Sequence, residues 1–235
     1  MTLHCILFDL DGTLLDTLPD LARALNGVLV EEGRDPLAES VIRQTISQGA
    51  PGMVKLGFGE HQDKVEFARR TARLREIYSD NLNAHTRLFP GMDDILRNIE
   101  ARNLKWGVVT NKRRYLTVPL LERMGLLTRA HCVVSGDDTT RGKPNPDPLW
   151  RACRLAGVDM CKCVYIGDAK GDIEAGRRAG MMTVAACYGY LAPEDDPRHW
   201  GADRYIEQPG DLMDALADVL PPLTVGDPIP VSVIG

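Results

Sequence analysis

A doubly wound parallel α/β sheet, with an all-helical cap inserted after its first strand, is the architecture this chain predicts. Short apolar runs without alternation recur along much of its length, the pattern of strands covered on both faces. From residue 86 onward each run is separated from the next by a stretch of helical period, as parallel crossovers require. Between residues 17 and 85 the strand-like runs disappear and only helical periodicity remains. The expected division is a Rossmann-like core of residues 1–16 and 86–220, a cap of 17–85 and a tail of 221–235.

The first strand is CILF, residues 5–8, and it ends in Asp9, Leu10 and Asp11 before Gly12 and Thr13 turn the chain. Residues two apart on extended backbone point the same way, so both carboxylates can face one site. Two like charges that close need a cation or a shared proton. A plain acidic turn is the alternative reading of the same residues. In the cap, Leu18, Leu21, Leu25, Val28 and Leu29 recur at helical steps up to a stop at Gly33. A second helix is expected over 37–46, then a break at the small-residue segment SQGAPG, 47–52. A long polar helix is expected over 61–82, with Val65, Phe67, Ala68, Ala72, Leu74, Ile77 and Tyr78 turned inward.

The core resumes at Pro90 and Gly91, which open a helix to residue 102, and WGVVT, 106–110, is its second strand. Helix 115–124, strand 131–134, helix 149–155, strand 163–166, helix 172–179 and strand 183–186 continue the alternation. Tyr205 and Ile206 predict one more short strand, and 211–220 a last helix. The proline-rich tail reads as an extended arm or a disordered end and receives no function.

Composition narrows the function classes. A chain of 235 residues holds one large core with an insertion, or two modest domains. Apolar residues at 44% and charged residues at 26% are the ordinary globular mixture. A net charge of -5 gives no support to phosphate-backbone binding, so no nucleic-acid partner is expected. No apolar run is long enough to span a bilayer, and strand-like sequence starts by Leu3 where a signal peptide would lie. A cytoplasmic protein without a membrane partner is the expectation. Of the six cysteines, Cys5, Cys132 and Cys187 lie in apolar strand-like runs, and Cys161 and Cys163 lack zinc-site spacing. Buried free thiols are expected.

In open parallel sheets, ligands bind at the carboxyl ends of the strands. The first strand delivers Asp9 and Asp11 to that edge, and the second delivers Thr110 and Asn111 with Lys112 next. After the third comes Lys143, within RGKPNPDP, and after the fourth come Asp168 and Asp172, within GDAKGD. Singly, Thr110 and Asn111 read as helix caps, Lys143 as a solvated charge, and the two aspartates as an Asx turn and an N-cap. Jointly they are the set that phosphoryl transfer to a carboxylate needs. A Mg²⁺ held by carboxylates screens the repulsion between anionic nucleophile and phosphate. Lysine, hydroxyl and amide donors stabilise the equatorial oxygens. A carboxylate nucleophile gives an aspartyl-phosphate, and a neighbouring carboxyl serves as acid and then as base.

These four segments, in this order, resemble the signature motifs of the haloacid dehalogenase superfamily, and the resemblance extends to about residue 220. It implies Asp9 as nucleophile and Asp11 as acid/base, with the Asp11 backbone carbonyl also meeting the metal. It further implies Thr110, Asn111 and Lys143 as phosphate holders, helped by amides around Leu10 and Asp11. Asp168 becomes a Mg²⁺ ligand, and Asp172 a ligand or its neighbour. Dehalogenases of the superfamily lack a counterpart of Asp11, and Leu21 stands where β-phosphoglucomutases carry a histidine. DTLPDL, VTNK and GKPNPDP are similar to phosphoglycolate phosphatases. Hydrolysis of a small phosphorylated metabolite by a monomer or homodimer is what the resemblance implies. A sugar phosphomutase is the alternative, and a non-catalytic phosphate-sensing module a further one. ISQGAPGMV and GYLAPEDDPRHWGAD resemble a bacterial subset that includes N-acetylmuramate 6-phosphate phosphatases, so that compound or 2-phosphoglycolate is the implied substrate. ISQGA, 46–50, is either the inward tip of the cap, with Gln48 and Gly49 reaching the substrate, or an ordinary interhelical turn. Arg113 and Lys170 depart from the usual pattern without removing a catalytic group.

Overall fold

The computed structural model describes residues 2–222, so all but the first two residues of the predicted tail lie outside it. Strand β1 (Cys5–Phe8) runs into the turn carrying Asp9 and Asp11, and β2 (Leu15–Asp16) leads out of it. Four helices follow: α1 (Leu18–Glu31), α2 (Glu39–Ile42), α3 (Gly49–Phe58) and α4 (Lys64–Asp80), with a 3₁₀ turn over Arg43–Gln48 between α2 and α3. The chain returns through β3 (Arg87–Leu88) to α5 (Met92–Ala101), β4 (Lys105–Val109), α6 (Arg114–Arg123) and β5 (Cys132–Val134). It continues through α7 (Asp147–Ala156), β6 (Cys163–Gly167), α8 (Lys170–Ala179), β7 (Met182–Ala186), β8 (Arg204–Ile206) and α9 (Leu212–Ala215).

The main sheet has six strands in the order β5-β4-β1-β6-β7-β8, and every neighbouring pair is parallel. All carboxyl ends therefore share one edge, and the order reverses beside β1, where such sheets bind ligands. Although CILF is apolar throughout, its side chains divide by the two-residue period of a strand. Ile6 and Phe8 join Leu96, Ile99, Leu120 and Leu216 on one face. Cys5 and Leu7 join Leu149, Ala152, Cys153 and Ala175 on the other. Burial on both faces explains why these strands carry no alternation in sequence.

Two crossings connect the helical segment to the sheet, and they are stitched together. Leu15 lies opposite Leu88 and Asp16 opposite Arg87 in a small antiparallel pair. The buried carboxylate of Asp20, in the first turn of α1, accepts bonds from the amides of His85 and Thr86 and from the Thr86 hydroxyl. Burial works against that ionised carboxyl, yet these bonds hold it below its ordinary pKa.

The cap departs from the sequence expectations in three places. The SQGAPG segment is not a break: α3 begins at Gly49 and buries Met53, Val54 and Phe58. Its glycines and proline disguise a helix start, because a proline in the first turn forfeits no intrahelical bond. The helix expected over 37–46 is only one turn of α-helix followed by the 3₁₀ segment. In α4 Thr71, Leu74 and Tyr78 are buried and Phe67 and Ile77 pack against the core as expected, but Val65 is 74% exposed and Ala68 and Ala72 also face solvent. Alanine is equally at home on either face of a helix, so the period there is ambiguous. In the core, the last helix is confined to α9, far shorter than 211–220. All six cysteines are free, but Cys161 is exposed and Cys187 only half-buried. No helix among the described residues is long and apolar enough to cross a membrane.

Candidate active site

The ends of β1 and β6 bring three acids together. Asp9, Asp168 and Asp172 are buried and each offers a carboxylate oxygen, all within 4.8 Å of one another. The Asp9 amide donates to the Ile166 carbonyl, which extends the β1 to β6 ladder by one residue and fixes the side chain at the sheet edge. Asp168 accepts from the Thr13 hydroxyl at 2.8 Å and from the Tyr190 amide at 2.8 Å. Gly12, at φ +87°, makes the approach possible, since a Cβ there would lie 2.1 Å from an Asp168 oxygen. Burial, opposed by Lys143 and reinforced by Asp172, pushes the Asp9 carboxyl up to about 7. Burial and the negative charges of Asp9 and Asp172 push Asp168 up to about 8. A group of hard oxygen donors carrying excess negative charge fits a divalent cation of the Mg²⁺ or Ca²⁺ kind.

One ammonium is already inside this group. Lys143 Nζ lies 2.7 Å from Asp9 and 2.6 Å from Asp172. It also donates to the Tyr165 hydroxyl at 2.9 Å and the Val109 carbonyl at 3.2 Å. The two acidic neighbours outweigh the cost of burial and raise the Lys143 pKa, so the side chain stays charged. Asp172 accepts in addition from the Ala169 amide, which caps α8. Thr110, at the end of β4, is buried and lines the same cavity. Asn111, which the resemblance implies on phosphate, lines the cavity too, and its side chain exchanges two 3.0 Å hydrogen bonds with the Lys143 backbone. In this geometry it positions the lysine loop.

The carboxylate of Asp11 is not part of the acidic cluster. It pairs with Lys112 Nζ at 2.8 Å and accepts from the Thr17 hydroxyl at 2.7 Å, at the entrance to α1. Lys112 is buried and sits 4.4 Å from the centre of the Tyr78 ring, which comes from α4 of the cap. Its pKa is raised, burial being overcome by Asp11 and Tyr78. The two aspartates of the first motif thus look into one cavity while each is held by its own lysine.

That cavity, about 660 Å³, lies between the sheet edge and the cap. Gln48 and Gly49 line it, at the 3₁₀ turn and the start of α3, together with Leu21, Met53, Leu74 and Arg75 from the cap helices. A single side chain ties the cap, the crossing and the acids together. The Tyr190 hydroxyl accepts from the amides of Thr17 and Leu18, so a tyrosine from beyond β7 caps α1, and it donates to Asp16. Its own amide holds Asp168. Arg43 of the cap stacks over the Tyr190 ring, 5.1 Å from its centre, and donates to the carbonyls of Tyr188 and Gly189.

Sequence reasoning missed Thr13, Tyr165, Tyr190 and Arg75, and named Lys112 without a role. Thr13 stands two residues beyond Asp11, so its place in the turn was a usable signal. Tyr165 carried none, because it lies in the apolar strand run 163–166, whereas Tyr190 lies in the GYLAPEDDPRHWGAD stretch, where only the resemblance marked it.

A profile of the haloacid dehalogenase-like hydrolases matches residues 6–186. The chain is 40% identical over 216 residues to the N-acetylmuramic acid 6-phosphate phosphatase of Pseudomonas aeruginosa, covering 92% of this chain and 96% of that one. It is 37% identical over 214 residues to a phosphoglycolate phosphatase of Xanthomonas campestris pv. campestris, covering 91% and 96% of the two chains. Among solved structures, a predicted phosphoglycolate phosphatase of Haemophilus somnus 129pt superposes with a TM-score of 0.82 at 26% identity, over 91% of this chain and 98% of that one. The strand order, the acids at the carboxyl edge and these likenesses agree: the chain belongs to the haloacid dehalogenase-like hydrolase family.

Proposed function

We propose that this protein hydrolyses a small phosphomonoester through an aspartyl-phosphate, with Mg²⁺ as cofactor. The observation that carries the reading is the separation of the two first-motif aspartates within one cavity. Asp9, within the acidic cluster and beside Lys143, is placed to attack phosphorus. Asp11, on the cap side, is placed to protonate the departing alcohol and then to take a proton from water. Lys143 offsets part of the charge that gathers on Asp9 and the phosphoryl oxygens. Asp9, Asp168 and Asp172, with the Asp11 carbonyl, would hold the Mg²⁺, which supplies charge neutralisation between nucleophile and phosphate. Thr110 contributes a hydroxyl, and Asn111 acts by holding Lys143 in place.

The wall facing these groups supports hydrolysis over mutase chemistry. Leu21 lines the cavity where a phosphomutase would need a titratable side chain. Two relatives are named for N-acetylmuramic acid 6-phosphate and for phosphoglycolate. A cavity of about 660 Å³ suits a sugar phosphate better than a two-carbon acid, so the former is the favoured substrate. The ligand is a small phosphorylated metabolite, and the free thiols support a reducing, cytoplasmic setting.

The test is hydrolysis of p-nitrophenyl phosphate with and without Mg²⁺, followed by kcat/KM on N-acetylmuramic acid 6-phosphate, 2-phosphoglycolate and β-glucose 1-phosphate. Turnover is expected to require the cation and to fall about 10⁴-fold in Asp9→Asn. Cation-independent turnover, or full activity in that variant, overturns the mechanism. Dominant mutase activity on the last compound overturns the choice of reaction.

A further inference from the structure

We infer that Arg75 is the substrate-recognition residue of the cap and that it reads a carboxylate on the alcohol part of the phosphomonoester. This rests on the phosphatase reading above and names the substrate class of that site.

Helix α4 carries Arg69, Arg70, Arg73 and Arg75. Arg69 and Arg70 pair with Glu32 or Glu66, and Arg73 pairs with Glu31 and Glu76. Those pairs lie along the side of the helix that packs on the end of α1. Arg75 differs. It has no ion-pair or hydrogen-bond partner among the described residues, and it lines the active-site cavity next to Leu74 and one turn before Tyr78. It is half-buried, so its stem is held by the cap. The other lining cations are committed or belong to the core. Lys143 and Lys112 are bound by the catalytic acids, and Arg113 lies near Asp137 at the cavity rim. Lys170 is exposed and sits on the first turn of α8.

A guanidinium without a carboxylate of its own, in a cavity that must accept an anion, is matched by a carboxylate in bidentate geometry. Both relatives cited above are named for phosphomonoesters of an acid. The phosphate of such a molecule is drawn to the sheet edge, leaving its carboxylate for the cap. The apolar patch formed by Leu21, Met53 and Leu74 beside Arg75 then suits the non-polar parts of an N-acyl sugar acid. The same guanidinium provides a reason for the cap to exclude neutral sugar phosphates: unpaired beside a neutral alcohol, it would lose water without gaining a partner.

The experiment compares N-acetylmuramic acid 6-phosphate with N-acetylglucosamine 6-phosphate, which lacks only the lactyl ether that bears the carboxylate. p-Nitrophenyl phosphate serves as a carboxylate-free reference. The wild-type enzyme with Mg²⁺ is expected to prefer the acid by about 30-fold in kcat/KM, the scale of a charge-assisted bidentate contact. In Arg75→Met the preference is expected to vanish, mainly through KM, and Arg75→Lys is expected to restore part of it. An equal loss on all three compounds would show that Arg75 serves the phosphate or the cap fold, and would overturn the inference. So would an unchanged preference in Arg75→Met. Failure of the wild-type enzyme to hydrolyse any of the three would remove the phosphatase reading itself, a result distinct from an intact activity with an unaltered ratio.

Discussion

Two buried lysines stand at the carboxyl edge of the sheet, and they belong to different kinds of structure. Lys143 sits among Asp9, Asp172, Tyr165 and the Val109 carbonyl, every partner supplied by the core. Lys112 sits between Asp11 and the Tyr78 ring, and Asp11 in turn is held by Thr17. The first cluster is built within the core, from strand ends, the start of α8 and a lysine loop held by Asn111. The second includes a cap aromatic and a residue at the crossing, so its geometry exists only with the cap in this position. Asp9 is therefore organised by the core, whereas Asp11 is organised by the meeting of core and cap. A change in the cap can therefore alter the surroundings of Asp11 without disturbing the cluster around Asp9.

Removing the core lysine is expected to have the larger effect. Lys143→Met leaves Asp9 and Asp172 without their shared counter-charge, costing about 3–5 kcal/mol of stability and lowering kcat by about 10²- to 10³-fold. Urea titration and steady-state kinetics measure the two. The counterpart, Lys112→Met, leaves Asp11 its bond from Thr17 and is expected to lower kcat only about tenfold. Equal losses in the two variants would erase the distinction between the regions.

The acidic cluster also predicts a pH response. Asp9 and Asp168 are raised to about 7 and about 8, so without a cation the folded state binds protons that the unfolded chain has released. Their share of stability is complete below about pH 4 and is lost as pH rises through these folded values. Added Mg²⁺ competes with those protons, so the rise in Tm that it produces is expected to grow from pH 5.5 to pH 8, reaching several degrees. A Mg²⁺ effect that is flat with pH would place the cation elsewhere.

The smallest effect belongs to the outer face of the cap. Val65→Ala is expected to change stability by less than about 0.5 kcal/mol, because the side chain is 74% exposed. Leu74→Ala, on the inner face of the same helix, is expected to cost about 3 kcal/mol. Comparable losses would mean that α4 is rotated from the orientation described.

What the sequence by itself determined was the order of elements in the core and the residues at each strand end. Uninterrupted apolar runs, spaced by helices, allow one kind of sheet, and a parallel sheet places every strand end on one edge. Asp9, Asp11, Thr110, Lys143, Asp168 and Asp172 could be gathered in advance for that reason. Tertiary structure alone decided what those groups do to one another. Nothing local indicates that Asn111 turns to the Lys143 backbone, that Asp11 takes Lys112 while Asp9 takes Lys143, or that Tyr190 caps α1 from the far end of the chain. The cap is the region least legible in the sequence, because its helices bury narrow faces against one another and against the sheet edge. With alanines in α4, and glycines and a proline in α3, at ambiguous positions, the period marks Leu74 and Tyr78 as inward but does not separate Val65, Ala68 and Ala72 from them. That rotation is settled by packing, and it is what carries Arg75 into the cavity and leaves Val65 in solvent.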